Sequence, residues 1–392
     1  MVNDEKNEIK LRVNNLKNLL EEKGLDAVII VQNINLYYFS NTMQLGVLIV
    51  NLDGEPFYFV KRDYDRAKQE SPLKNIFKIN SFKEITDYLD LSFKKVGLEF
   101  DILPYNQYIK FRDLFQNATL VDISNDLRKL RMIKSDLEIN KMIQAGILLE
   151  ETISELRKNV REGMTELDIA CEMEYIARKK GHMGPVRMRS FNQEMYFGHF
   201  LSGENAFLLS YVDSPTAGKG QGNFFPQGAS KRKVRYGDVL SIDFVFVYEG
   251  YMVDQTRIFS FGEPSSEVKK VMSVAMELKK MIEHDIKPGL SCDELVQKTY
   301  KIVKDNKLEN IFMGLGDKKA NYIGHGIGLE LDEFPVISKG IKEKIDVNVT
   351  FAFEPKFFLE PHGIVGFENT YVMKEDGPLL LTKFPEDIQI II

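Results

Sequence analysis

Apolar positions 9, 13, 16 and 20 (Ile9, Val13, Leu16, Leu20) fall three or four residues apart, the spacing of one helix face, and Gly24 closes that run. The unbroken apolar stretch 25–31 that follows has the pattern of a buried strand. Further strands are expected at 46–51 and 56–60, joined by Asp53-Gly54, a hairpin pair. Helix and strand patterns then alternate through 96–100 and 118–121, which predicts a small α/β domain over residues 1–133. Ser135 and Glu138 form an S-x-x-E box that opens a long helix through Leu156 and starts a second domain, 134–392.

The second domain is organised around Asp238–Arg257. Two runs rich in β-branched and aromatic residues, 239–248 and 251–259, flank Glu249-Gly250, which predicts a β-hairpin with Tyr248 opposite Tyr251. That register makes Asp243 and Asp254 diagonal neighbours on one face, roughly 7–8 Å apart. Two carboxylates facing each other on an apolar hairpin repel unless a cation lies between them, and two metal ions about 3.5–4 Å apart fit such a gap. The plainer alternative is a solvated face of an edge hairpin.

The domain also repeats. Gly163, Met164, Thr165, Asp168, Ile169 and Ile176 match Gly289, Leu290, Ser291, Glu294, Leu295 and Ile302 at a constant offset of 126, so each half is expected to carry a Gly-containing turn and a capped helix. A duplicated half-domain places a site between the halves.

Composition narrows the chemistry. The 392 residues are 44% hydrophobic and 28% charged with a net charge of −6, a soluble globular balance that gives no hint of nucleic-acid or membrane binding. The polar opening MVNDEKNEIK does not read as a signal peptide, and two cysteines, Cys171 and Cys292, are too few for a disulfide framework or thiolate site. A cytoplasmic protein is expected, with any metal held by oxygen and imidazole.

Such ligands are at hand. His325 lies in Gly324-His325-Gly326-Ile327-Gly328, where glycines are expected to let backbone approach a ligand or metal. Glu354 ends the apolar run 349–353, and Glu368 precedes the apolar pair Tyr371-Val372. With Asp243 and Asp254 these make a hard set suited to two divalent ions such as manganese, cobalt, iron or zinc.

The hairpin, GHGIGLELDEFP at 324–335, FEP at 353–355 and GFENT at 366–370 together resemble the pita-bread metallopeptidases: Xaa-Pro aminopeptidases, prolidases and methionine aminopeptidases. Residues 1–133 resemble the creatinase-type N-terminal domain of the proline-specific groups. The resemblance implies an α+β fold, a creatinase-type α/β domain followed by a pseudo-symmetric pita-bread domain, and a homodimer. It also implies that Asp243 holds one metal, His325 and Glu354 the other, and that Asp254 and Glu368 bridge them; in the leading reading of the chemistry, Glu354 accepts a proton from the attacking water.

Two positions depart from the family. Ser210 stands eight residues after Ser202, where a substrate-binding histidine is usual, and Asp332 stands where a second is usual. Asp332 would favour a positive or hydrogen-bond-donating substrate group. His199 and His362 are candidates to fill the gap, and Arg187 and Arg189, spaced by two on an expected strand, could hold a substrate carboxylate. The basic run Lys231-Arg232-Lys233 reads as a solvated loop. The leading function is metal-dependent cleavage of a small peptide or amide. Its alternatives are a creatinase-like C–N hydrolase or lyase on a small metabolite, and a binding protein on a degenerate peptidase fold.

Overall fold

The computed structural model describes residues 2–392, and the chain divides between Arg131 and Met132 into two units. In the first, six strands form one mixed sheet in the order β4-β3-β2-β1-β5-β6: β1 (Ala27–Ile30), β2 (Gly46–Asn51), β3 (Phe57–Val60), β4 (Asn75–Lys78), β5 (Lys95–Leu98) and β6 (Thr119–Asp122). β2 runs antiparallel to both β1 and β3, and the remaining pairs are parallel. The expected strand ends move by one or two residues, and the first helix, Val2–Lys23, buries Ile9, Val13, Leu16 and Leu20. Ile29, Val47, Phe59, Leu98 and Phe111 build the core on one face of this sheet.

The second unit holds a four-stranded sheet in the order β19-β9-β8-β7 and a five-stranded sheet in the order β12-β11-β14-β17-β18. In chain order these are β7 (Gly198–Ser202), β8 (Val239–Tyr248), β9 (Tyr251–Phe261), the short β10 (Leu290–Ser291), β11 (Tyr322–Gly326), β12 (Glu333–Ser338) and the short β13 (Lys344–Ile345). There follow β14 (Thr350–Phe353), β15 (Lys356–Leu359), β16 (Gly363–Gly366), β17 (Asn369–Lys374), β18 (Gly377–Leu380) and β19 (Gln389–Ile391). β15 and β16 form a separate two-stranded hairpin, and β10 pairs with β13.

The internal repeat appears as geometry. Helices Glu166–Lys179 and Cys292–Asp305 correspond end to end at the offset of 126, each opened by a capping box, on Thr165 and on Ser291. The turns before them place Gly163 at φ +87° and Gly289 at φ +89°, a left-handed conformation that glycine alone adopts freely. The preceding helices also correspond: Asp136–Leu156 packs on β8 and β9, and Ser266–Asp285 packs on β15, β16 and β18.

The β8–β9 hairpin has the expected register. Tyr248 pairs with Tyr251 across Glu249-Gly250, whose φ angles are both positive (+46° and +87°), as a tight primed turn requires. Asp243 therefore pairs with Thr256 and Asp254 with Val245, which sets the two aspartates diagonally on one face. Neither lies on a solvated edge: both are buried, and β8 and β9 are flanked by β7 and β19.

Candidate metal centre

Four acids and a histidine, from five segments of the chain, meet at the face of β8–β9. Glu368, just before β17, bridges Thr256 through the backbone in both directions, and its Oε2 accepts from Thr256 Oγ1 at 3.0 Å. Arg257, wholly buried, fixes that segment by donating to Glu368 O and Asn369 Oδ1, both at 2.8 Å. His325 sits on β11 opposite Ala352 of β14, and Glu354 follows β14 directly. Asp243, Asp254, His325, Glu354 and Glu368 are all buried and line one small cavity of about 40 Å³. A roomier cavity of about 740 Å³ lies along Glu204, Asn205 and residues 230–235 and carries no such convergence of ligand atoms.

The glycines around His325 serve a different purpose from the one expected. A Cβ on Gly324 would lie 2.2 Å from Ala352 O, and one on Gly326 would lie 2.1 Å from Phe334 O. They admit the neighbouring strands rather than a ligand. The close packing also orients the imidazole. Nδ1 donates toward Leu331 O at 2.9 Å and Gly326 O at 3.0 Å, so Nε2 faces Glu368 Oε1 at 3.6 Å and Glu354 Oε1 at 3.9 Å.

Ligand atoms of Asp254, His325 and Glu368 lie within 4.8 Å of one another. Asp254 Oδ1 and Glu368 Oε1 are buried with no hydrogen-bond donor on either. Orphaned carboxylate oxygens in a protein interior are costly, and a divalent cation among them, with Nε2 as a further ligand, would satisfy both. By this test the residues fit an ion.

The electrostatics describe the same strain. Burial, then the Glu368 and Asp243 carboxylates, push Asp254 well above the usual carboxylate range. Glu354 is likewise raised by burial, which outweighs the opposing pull of the Lys356 ammonium. For Glu368 burial acts upward, yet Lys356 and His325 together hold it below its ordinary value. Burial acts downward on His325, but Glu368, Asp332 and Glu354 raise it well above the usual imidazole range, so an ion at Nε2 would compete with a proton.

The sequence reading missed one member of the site. Lys356, only 1% exposed, donates to Asp243 Oδ2 at 2.9 Å, Glu354 Oε2 at 2.7 Å and Glu368 Oε2 at 2.8 Å. The signal was available: a lone cation within Phe353–Leu359, otherwise apolar apart from Glu354 itself.

The other expected residues divide. His199 pairs with Asp243 across β7–β8 and lines the cavity, but Nδ1 lies 3.0 Å from Thr216 Oγ1 and Nε2 lies 3.1 Å from Gln227 Oε1. Burial also lowers its pKa, which favours a neutral ring held in place over a proton carrier. Asp332 lines the cavity with its side chain 40% exposed, and its Oδ1 is 3.7 Å from His325 Nδ1. Ser210 does not line it; Asp213 and Ser214 of the same loop do.

Three expectations are corrected outright. Arg187 and Arg189 stand on irregular chain, not on a strand, and Met188 between them is the residue that reaches the cavity. His362 lies outside it, at the turn between β15 and β16, with Nε2 3.4 Å from Ser265 Oγ at a helix N-terminus. Arg232 is not solvated: its side chain is 13% exposed and bridges Asp238 at 2.6 Å and Glu204 at 2.8 Å.

Comparison with known proteins agrees with the fold. Residues 12–133 match the creatinase/prolidase N-terminal domain, and residues 140–375 match metallopeptidase family M24. A Xaa-Pro dipeptidase of Pyrococcus furiosus is 27% identical over 383 residues, covering 97% of this chain and all of the relative. Among solved structures, an X-Pro aminopeptidase from Thermotoga maritima superposes with a TM-score of 0.79 at 28% identity, over 94% of this chain and 98% of that one. The prolidase from Pyrococcus furiosus gives 0.77 at 26% identity, over 94% and 99%. With more than half of its length matched to one family, the buried acids and histidine at its centre, and the repeated half-domain around them, this chain belongs to metallopeptidase family M24.

Proposed function

We propose that the chain is a metal-dependent hydrolase of short peptides with proline in the second position. The carrying observation is the convergence of Asp254, His325 and Glu368 with donor-less buried oxygens on two of them. Relatives named Xaa-Pro dipeptidase support a peptide substrate over a C–N hydrolase or lyase. A divalent ion held by Asp254, His325 and Glu368 supplies a Lewis acid for a carbonyl oxygen and acidifies water.

The protein's own groups do the rest. Glu354 Oε1, the oxygen not engaged by Lys356, takes a proton from the attacking water and returns it to the leaving nitrogen. Asp332, half-exposed at the cavity, accepts hydrogen bonds from the substrate's amino group. His199, anchored by Thr216 and Gln227, shapes the wall rather than moving protons, and Thr216 in turn donates to Asp243 Oδ2 at 3.4 Å. Manganese, cobalt, iron and zinc all suit the oxygen-rich set. A cytoplasmic homodimer is part of the proposal; free thiols at Cys171 and Cys292 suit a reducing compartment.

The test is a panel of Xaa-Pro dipeptides, longer X-Pro peptides and small amides, offered to the purified chain after reloading with each metal. Xaa-Pro cleavage that disappears with a chelator and returns with metal is expected. A fully loaded protein that cleaves the amides but no Xaa-Pro peptide overturns the proposal, and sedimentation as a monomer at micromolar concentration overturns the dimer.

A further inference from the structure

We infer that the Lys356 ammonium permanently occupies one of the two cation positions of this centre, leaving a site for a single divalent ion; the inference rests on the metal-dependent reading above. Three carboxylate oxygens, Asp243 Oδ2, Glu354 Oε2 and Glu368 Oε2, converge on Nζ at 2.7–2.9 Å and use all three of its N–H bonds. Two ions sharing bridging carboxylates stand about 3.5–4 Å apart, and this nitrogen takes the place of the one nearer Asp243. What remains open is on the other side of Glu368: its Oε1, Asp254 Oδ1 and His325 Nε2, enough for one ion.

The backbone dictates the lysine's direction. Along β15, Phe357 and Leu359 enter the main core of this unit, whereas Phe358 packs with Leu201 and Ile364 on the opposite face. Alternation along a strand puts Lys356 on the Phe358 face, beside β7 and β8 and hence beside Asp243. Lys356 is only 1% exposed, and a buried lysine needs anionic partners. Charge balance points the same way. Asp243, Asp254, Glu354 and Glu368 offset one dication and one ammonium to within a single charge, so a second dication is not needed to neutralise the acids.

The experiment is manganese binding to the purified full-length chain, read as ions per chain by elemental analysis and calorimetry and by the electron paramagnetic resonance spectrum. The wild type is expected to saturate at one ion per chain with the resolved hyperfine pattern of an isolated manganese. Lys356→Ala is expected to take up a second ion and show an exchange-coupled spectrum. Asp243→Asn, which removes a lysine partner rather than a ligand, is expected to keep one ion with affinity within roughly threefold of wild type, under about 1 kcal/mol. Two coupled ions in the wild type overturn the role of Lys356 and leave the hydrolase reading standing. No ion bound at saturating manganese sinks the metal-dependent reading and this inference with it. The wild-type stoichiometry decides the matter even if a variant fails to fold.

Discussion

His182 backs the strand that carries Asp243, and its titration gives a quantitative handle on that part of the fold. The ring is 2% exposed and packed against Phe197, Phe244 and Phe246, with Nε2 donating to Val245 O at 2.9 Å and Nδ1 accepting from Gly184 N at 2.9 Å. Both bonds suit the neutral ring. Burial, with a smaller effect from the Arg178 charge, lowers its pKa to about 4. The unfolded chain, with a histidine near 6.5, therefore binds a proton first as pH falls, and stability is lost between about 6.5 and about 4. Linkage over that shift amounts to about 2 kcal/mol between pH 7 and pH 5, approaching about 3 kcal/mol below pH 4. His182→Gln supplies an amide that can make the same two bonds and does not titrate. Urea unfolding followed by circular dichroism at pH 7 and pH 5 is expected to show the wild type losing about 2 kcal/mol more than the variant, since all other titrating groups are common to both. Equal losses, within about 0.5 kcal/mol, would refute the assignment of this ring as a buried neutral acceptor.

Other perturbations read the scaffold and the site. Glu166, fully buried, accepts from Ser202 N and Oγ, Asn205 Nδ2, and Ser230 N and Oγ at 2.6–2.9 Å; Glu166→Gln leaves at least one buried donor unpaired and is expected to lower stability by about 3 kcal/mol in chemical denaturation. Gly326→Ala places a methyl 2.1 Å from Phe334 O, a backbone atom that cannot step aside, and is expected to cost about 3 kcal/mol or more and to displace His325, seen as a lower melting temperature with reduced metal uptake. Asp332→Ala is expected to raise KM for Xaa-Pro peptides about tenfold or more with metal content unchanged, measured by steady-state kinetics beside elemental analysis. Parallel loss of metal would instead make Asp332 a support for His325.

What could be read from the chain were features whose geometry is set within a few residues. Glu249-Gly250 adopts a turn that only two positive φ angles allow, and that turn counts the register, so the diagonal placement of Asp243 and Asp254 followed from local sequence. Capping boxes at Ser135, Thr165 and Ser291 marked helix starts for the same reason, and the offset of 126 exposed the duplicated halves. The gathering of buried acids was legible because acids at the ends of apolar runs have few physical excuses. Tertiary structure decided where side chains on irregular or distant segments go. Arg187 and Arg189 do not line the cavity and residues 187–189 form no strand, while His362 was drawn to Ser265, far from it in sequence. Lys356 is the clearest case. That it is a cation in an apolar run was visible, but that its pleat faces Asp243 depends on how β15 packs between the main core and β7. A strand's own sequence carries its period and not its phase relative to a neighbouring sheet; only packing fixes the phase, and here the phase places an ammonium among the acids.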